Sequence, residues 1–283
     1  MSLNRKNEQL VDFAILIPSF NQGSALEATL KWLEKELLHV GFSWEILVAD
    51  NASTDASRDV LQRLESEITG LRVFIHEENI GFLRNLAFLA TEAEGKFVVL
   101  LGCGDFLNAD ALGLVLKEAL SRDVFSINVG VASHRNFKPS PFSREPRQPL
   151  ALKQVGKLSI NTPYQEAFCG NIFRNDMHQL ATALGVPMKT GDTWPHIEVQ
   201  LRALRRGEVI LRTRHEIVSV YQSDEDWHTN SSLSTQIFIL HVKLLLRHSY
   251  QSLGLLLKLL IITSSGTMSL LRQNLRNSRS SQR

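Results

Sequence analysis

Short apolar runs alternate with longer amphipathic segments along the first half of the chain. Four runs of strand length are rich in Leu and β-branched residues: Phe13–Ile17, Glu45–Ala49, Arg72–Ile75 and Phe97–Leu101. Three segments between them carry apolar residues at helical spacing: Ser24–Leu38, Ala56–Ile68 and Phe82–Ala93. Continuous apolar runs are typical of parallel strands that are buried on both faces. The pattern therefore predicts an α/β fold with a mostly parallel central sheet and helices on both faces.

The second half of the chain is less regular. Residues 132–156 hold four of the eight prolines and no apolar period, which predicts a long surface loop. Helices are expected near residues 176–184 and 196–206, followed by a pair of strands over residues 208–221. We therefore predict one folded domain over residues 1–232 and a helical extension over residues 233–283.

Charge separates the extension from the domain. The whole chain has a formal net charge of +2, but residues 233–283 carry seven basic residues and no acidic one. The 24 basic and 29 acidic residues of positions 1–232 leave that part at −5. Basic amphipathic helices without acids favour an anionic membrane surface. Two alternatives stay open, namely packing against the domain and an oligomer interface. Residues 233–283 contain neither interleaved aromatic residues nor a recognisable nucleic-acid-binding module, so no nucleic-acid partner is expected.

The remaining composition indicates a cytoplasmic protein that binds a membrane peripherally. Only Cys103 and Cys169 occur, without the spacing of a metal site, so a reducing compartment is expected. The first twelve residues are polar and precede only a short apolar run, which does not match a secretory signal. The most apolar stretch, Leu253–Ile262, is shorter than the roughly 20 residues of a membrane-spanning helix.

Polar clusters follow each of the four predicted strands. They are Pro18–Asn21, Asp50–Asp55, Glu78–Asn85 and Gly102–Asp105. Turn formation explains each cluster when it is taken alone, and Asp55 is also well placed to be the N-cap of the second helix. Open α/β sheets, however, bind ligands at the carboxyl ends of their strands. The joint placement therefore predicts a binding site at that edge.

Two of these clusters carry a family resemblance. Ile17-Pro-Ser-Phe-Asn21 and Asp50-Asn-Ala-Ser-Thr-Asp55 resemble the first strand end and the D-N-x-S-x-D signature of family 2 glycosyltransferases. Those are inverting enzymes with the GT-A, or nucleotide-diphospho-sugar transferase, fold. Asn79-Ile-Gly81, followed by Arg84 and Asn85, is similar to the abequosyltransferase-like subgroup of bacterial polysaccharide assembly. The resemblance covers roughly residues 12–230.

The resemblance implies transfer of a sugar from a nucleotide-diphosphate-sugar to a hydroxyl of a lipid-linked glycan in surface polysaccharide biosynthesis. Asp50 is the expected contact for the base of the donor, and Arg84 could make a bidentate contact with its phosphates. Asn171 or Arg174, in a segment similar to the acceptor side of relatives, could contact a sugar or phosphate, with an ordinary surface charge as the alternative for Arg174. The donor-binding residues implied are Pro18, Ser19, Asn21, Asp50, Asn51, Asn79, Arg84, Asn85 and Gly104.

The metal motif of the family is incomplete in this chain. Relatives carry two or three acids after the fourth strand, whereas this chain reads Leu101-Gly-Cys-Gly-Asp105. Asp105 is the expected ligand for Mg²⁺ or Mn²⁺, because phosphates and waters can complete an octahedral site around one carboxylate. His228 is a second candidate ligand, with an exposed loop as the alternative. Cys103 is expected to be a small structural residue.

The resemblance also implies a general base near the start of a late helix. Asp192 is the leading candidate, although the same position suits an N-cap, and His196 could share or replace the role. The incomplete metal motif leaves a second class of function open. In that class the chain is a non-catalytic protein that binds a nucleotide sugar or acts as a scaffold.

Overall fold

The computed structural model describes residues 11–134, 152–155, 168–176, 199–200, 202–204 and 206–221. The chain divides into two compact units, Met1–Asp224 and Glu225–Arg283, and all the described residues lie in the first. The predicted boundary at residues 232 and 233 stays a prediction. In the described part of the chain, no helix combines the length and apolar character needed to cross a membrane.

Four helices and nine strands make up the described part of the first unit. The helices are α1 (Gly23–Leu37), α2 (Ser57–Glu67), α3 (Phe82–Glu92) and α4 (Ala109–Leu120). The strands are β1 (Val11–Ser19), β2 (Trp44–Asp50), β3 (Leu71–Ile75), β4 (Gly95–Leu100), β5 (Phe106–Leu107), β6 (Val124–His134), β7 (Lys153–Gln154), β8 (Asn171–Arg174) and β9 (Val209–Tyr221). The four strands and three helices predicted in the first half are confirmed, with bounds shifted by at most two residues.

All nine strands belong to one sheet with the order β3-β2-β1-β4-β8-β6-β9-β5, and β7 pairs with β9. Strands β3, β2, β1 and β4 are parallel, as predicted. Strand β8 runs antiparallel to both β4 and β6, and β5 and β7 run antiparallel to β9. The parallel prediction therefore holds for the first four strands, while the other part of the sheet is mixed.

Two predictions for the second half need correction. Residues 132–134 continue β6 and residues 153–154 form β7, so the ends of the predicted loop over 132–156 are wrong, while residues 135–151 lie outside the described residues. The predicted strand pair over 208–221 is a single strand, β9. The register of β9 against β6 shifts on both sides of Gly130. Such β-bulges accommodate extra residues in a paired strand, so the polar segment 212–216 continues β9 and forms no turn.

Apolar side chains cover both faces of the sheet. In β1, Phe13, Ile15 and Ile17 pack against α1, α2 and α4, whereas Ala14 and Leu16 face α3. The face of the sheet that α3 covers also packs against Val199 and Ala203, from the helical residues near position 200. Burial on both faces explains why the sequence of β1 is a continuous apolar run. The prediction of helices on both faces of the sheet is confirmed.

Candidate functional site

The carboxyl ends of β1, β2 and β3 lie side by side. Ser19 at the end of β1 is the register partner of Asp50, and Asp50 is in turn the partner of Ile75. The Leu101 amide donates to the Leu16 carbonyl oxygen, which places the turn after β4 beside the end of β1. The polar clusters of four strands therefore meet at one edge of the sheet, as the sequence predicted.

The turns after β1 and β2 are joined through Asn21. Its amide donates to Ser53 Oγ at 2.8 Å, and its side-chain Oδ1 accepts from the Thr54 amide at 2.8 Å. Asn21 has a φ of 53°, in the left-handed region that Asn tolerates better than most residues. The Asn21 side-chain oxygen is therefore occupied by the neighbouring turn.

Asp55 binds the first residues of two helices at once. Its Oδ1 accepts from the Ser57 amide at 3.0 Å, and its Oδ2 accepts from the Gly23 amide at 3.1 Å. Burial opposes ionisation, but these hydrogen bonds outweigh it and hold the pKa of Asp55 below its usual range. The N-cap position of α2 is Ala56, so the predicted cap is displaced by one residue, although Asp55 still satisfies the helix start.

Asp50 is the most deeply buried acid at this edge. Its side chain is 0% exposed, and Oδ2 accepts from the Ser53 amide at 3.0 Å and from Arg58 Nε at 3.4 Å. Among the described residues, no donor contacts the other oxygen, Oδ1. A buried acceptor without a donor costs about 1–3 kcal/mol, so a ligand that donates a hydrogen bond to Oδ1 recovers this energy.

Asn51 and Asn79 bind each other. Asn51 Nδ2 donates to Asn79 Oδ1 at 2.8 Å, and Asn51 Oδ1 accepts from the Ile80 amide at 2.9 Å. Asn85 is similarly occupied, since its Nδ2 donates to the Ala49 carbonyl oxygen and its Oδ1 lies 3.0 Å from His76 Nε2. These side chains fix the start of α3 against the end of β2.

Arg84 lies beside Asn85 in the first turn of α3 and is exposed. Within the described ranges, no hydrogen bond or ion pair holds its guanidinium. Arg58, which sequence analysis did not single out, is half-exposed and donates to both Asp50 and the His76 carbonyl oxygen. Its position at the second residue of α2 did not distinguish it from an ordinary charged residue on a helix. The edge thus carries two cationic side chains, and one of them, Arg58, contacts the buried Asp50 carboxylate.

The turn after β4 closes around Asp105, which is 3% exposed. Its Oδ1 accepts from the Tyr221 amide at 2.9 Å, and its Oδ2 accepts from the Gly102 amide at 2.9 Å and from the Cys169 thiol at 2.6 Å. Burial raises the pKa of Asp105 above its usual range, although the three donors act in the opposite direction. Asp105 therefore joins β4, β9 and the turn Phe168–Gly170.

The remaining residues of this turn are held from within the fold. The Gly104 amide donates to Thr29 Oγ1 at 2.8 Å, and the Thr29 hydroxyl donates to the Asp105 carbonyl oxygen. Cys103 Sγ lies 3.8 Å from the Pro18 carbonyl oxygen. Burial raises the pKa of the Cys103 thiol to about 12, so it is protonated near neutral pH, in keeping with the predicted structural role.

Ten residues predicted to bind the donor or a metal are described, and all lie on the segments that meet at this edge: Pro18, Ser19, Asn21, Asp50, Asn51, Asn79, Arg84, Asn85, Gly104 and Asp105. Asp192, His196 and His228 lie outside the described residues. Arg174 lies toward the other end of the strands, because it pairs in register with Phe97 near the start of β4. There it forms ion pairs with Asp123, Asp176 and Glu208. Its suggested sugar contact does not fit this position.

A buried amide cluster lies beside the end of β4, where Ile172 of β8 pairs in register with Val99. Asn171 Oδ1 accepts from Asn128 Nδ2 at 2.7 Å and from Gln200 Nε2 at 2.9 Å. Asn171 is 0% exposed, so in this structure its side chain serves the packing of β6 and β8 against the helical residues near position 200.

Comparison with known proteins identifies the family of the chain. The family model described as Glycosyl transferase family 2 matches residues 14–179. A protein of Bacillus subtilis (strain 168) named as a teichuronic acid biosynthesis glycosyltransferase, TuaG, is 31% identical over 112 residues. That match covers 38% of this chain and 42% of TuaG, so the chain spans less than half the length of this curated relative.

Solved structures share the fold at low identity. Staphylococcus aureus TarS 1–349 in complex with UDP-GlcNAc has a TM-score of 0.59 at 14% identity, over 83% of this chain and 66% of TarS 1–349. The mannosyltransferase PcManGT from Pyrobaculum calidifontis, in complex with GDP-Man and Mn²⁺, has a TM-score of 0.58 at 14% identity, over 87% of this chain and 66% of its own. The likeness shows the fold, which is the predicted GT-A fold.

Proposed function

The chain belongs to glycosyl transferase family 2, and on that premise we propose that it transfers a sugar from a nucleotide-diphosphate-sugar to a hydroxyl of a glycan acceptor. We further propose that the transfer inverts the anomeric centre and serves surface polysaccharide biosynthesis. The name of TuaG, a teichuronic acid biosynthesis glycosyltransferase, supports the polysaccharide role. The UDP-GlcNAc and GDP-Man bound to two proteins of the same fold support a donor of this class.

The observation that carries this proposal is the buried Asp50 Oδ1, which no donor in the described part of the chain contacts. It lies at the end of β2, between the ends of β1 and β3, where an open α/β sheet binds nucleotides. A carboxylate oxygen accepts a hydrogen bond from a ring N–H of the base. Uracil, thymine and guanine offer such an N–H, and cytosine offers its exocyclic amino group instead. Asp50 is thus proposed to recognise the base of the donor.

The surrounding residues have two proposed roles. Asn21, Asn51, Asn79 and Asn85 act as positioning residues, because their side chains hold the turns around Asp50. Arg84 is the proposed contact for the diphosphate, since its exposed guanidinium could form paired hydrogen bonds with phosphate oxygens as negative charge develops on the leaving group.

The acceptor half of the reaction rests on the sequence alone. Asp192 is the proposed base that removes the proton of the acceptor hydroxyl, and His196 could share that role. The acidless segment 233–283 supports a lipid-linked acceptor at the cytoplasmic face of a membrane. Co-sedimentation of the full chain with anionic but not neutral phospholipid vesicles is the expected result, and equal sedimentation with both would contradict the membrane role.

A donor screen tests the proposed function. The purified full chain is incubated with UDP-, GDP-, dTDP- and CDP-sugars, and release of free nucleotide is measured with and without detergent-solubilised bacterial membrane lipids as a source of acceptor. We expect slow hydrolysis of one donor and faster release when acceptor is added. Saturable donor binding with no release under either condition would favour a non-catalytic nucleotide-sugar-binding or scaffold protein. The absence of acids at positions 102–104 is the observation that keeps this second candidate.

A further inference from the structure

The turn after β4 is the place where relatives of the family hold a divalent cation, and its residues here do not fit one. Asp105 is the acid of this turn, and both its oxygens accept hydrogen bonds from donors of the fold. A cation at Asp105 would have to displace the Gly102 and Tyr221 amides or the Cys169 thiol. Buried amides that lose their acceptor cost about 1–3 kcal/mol each, and the side chain is 3% exposed.

The two glycines of the turn constrain its backbone, and Cys103 stands where relatives carry an acid. A Cβ atom at position 102 would lie 2.8 Å from Asp105 Oδ2, a separation that real Cβ atoms essentially never show. Gly104 has a φ of 90°, which L-residues rarely adopt. The turn is therefore shaped around glycine at both positions and around Asp105 as an internal acceptor.

Two other acids at this edge, Asp50 and Asp55, already have partners of their own. Both oxygens of Asp55 bind helix amides, and Asp50 is paired with Arg58, whose positive charge disfavours a cation beside it. In the described ranges, no three His, Cys, Asp or Glu side chains are grouped so that they could hold a metal ion. The Arg58 and Arg84 side chains supply positive charge at the same edge.

From these contacts we infer that the chain binds its nucleotide-sugar donor and transfers the sugar without a divalent metal ion. The inference rests on the proposed function and departs from the expectation that Asp105 binds Mg²⁺ or Mn²⁺. It assigns the Gly102–Asp105 turn a structural role, in which the carboxylate joins strands β4 and β9.

Titration calorimetry on the full chain tests the inference. UDP, GDP, dTDP and CDP are titrated into protein that was stripped with EDTA, and then into the same protein with excess Mn²⁺. We expect one nucleotide to bind with dissociation constants that agree within about twofold, well below the tenfold change that 1.4 kcal/mol represents. As a second readout, Mn²⁺ electron paramagnetic resonance should show no ion bound beyond the amount that the nucleotide alone binds.

The outcomes separate the two claims. Nucleotide binding that disappears with EDTA and returns with Mn²⁺ would overturn the metal-independent inference and leave the proposed function intact. Failure of every nucleotide to bind in both conditions would overturn the proposed function, and this inference with it. EDTA-insensitive release of nucleotide from the donor found in the screen would support both.

Discussion

Replacing Asp105 by Ala should destabilise the fold, whether or not a metal ion is present. The substitution removes the acceptor of two backbone amides, Gly102 and Tyr221, and of the Cys169 thiol. Those donors belong to three separate segments, so the change also loosens the junction between β4 and β9. A role as a metal ligand would instead predict normal stability in the absence of metal.

The expected magnitude follows from the contacts. Two buried amides without an acceptor cost about 1–3 kcal/mol each. Burial raises the pKa of Asp105, so removal of an ionised buried carboxylate offsets part of this loss. We therefore expect a net loss of about 2–4 kcal/mol in the free energy of unfolding, which corresponds to a fall of about 1 M in the urea midpoint.

Urea unfolding followed by circular dichroism, in EDTA and in Mn²⁺, checks this expectation. Glu34→Ala is the matched control, because Glu34 is an exposed acid on α1, and its removal should change stability by less than about 0.5 kcal/mol. Since the pKa of Asp105 is raised by burial in the folded state, its proton-linked contribution increases as pH falls, so the deficit of the Ala variant should widen toward about pH 4. An Asp105→Ala protein with the wild-type midpoint would refute the structural role.

Three further substitutions test the surrounding contacts. Gly102→Ala should destabilise by about 1–3 kcal/mol in urea unfolding because its Cβ would meet the Asp105 carboxylate, whereas Gly113→Ala in α4, where a Cβ has ordinary contacts, should be neutral or stabilising. Asp55→Asn should lower the free energy of unfolding by about 1 kcal/mol at pH 7. Because the pKa of Asp55 is lowered in the fold, this difference from the wild type should disappear as pH falls below about 4. A pH-independent difference would contradict the helix-start role. Asn51→Ala should raise the KM for the donor with little change in kcat, because it releases the segment at Asn79, and an unchanged KM would remove its positioning role.

The first half of the fold was predictable because each element carries its own periodicity. The run Phe13–Ile17 and the apolar spacing in Ser24–Leu38 specify a buried strand and a helix from local sequence alone. The insertion of β8 between β4 and β6 depends on pairing between residues far apart in the chain. The bulged register of β9 around Gly130 likewise has no local signature.

The site was predictable in place but not in the role of each residue. Asn51 and Asn79 stand at strand ends as expected, yet an Asn that binds a neighbouring turn has the same sequence as one that binds a ligand. Asp105 retains the last position of the motif, but its partners Cys169 and Tyr221 are 64 and 116 residues away. Such distant donors cannot be inferred from a motif.

Nucleotide binding at Asp50 tests the central claim most directly. Calorimetric titration of UDP, GDP, dTDP and CDP into wild-type, Asp50→Asn and Asp59→Asn proteins compares the buried acid with an exposed acid on α2. A hydrogen bond to a charged group contributes about 1.5–3 kcal/mol, so Asp50→Asn should weaken binding of the preferred nucleotide by about 10- to 150-fold. The Asp59→Asn protein should bind as the wild type does. Equal affinity in all three proteins would contradict the assignment of this edge as the donor site.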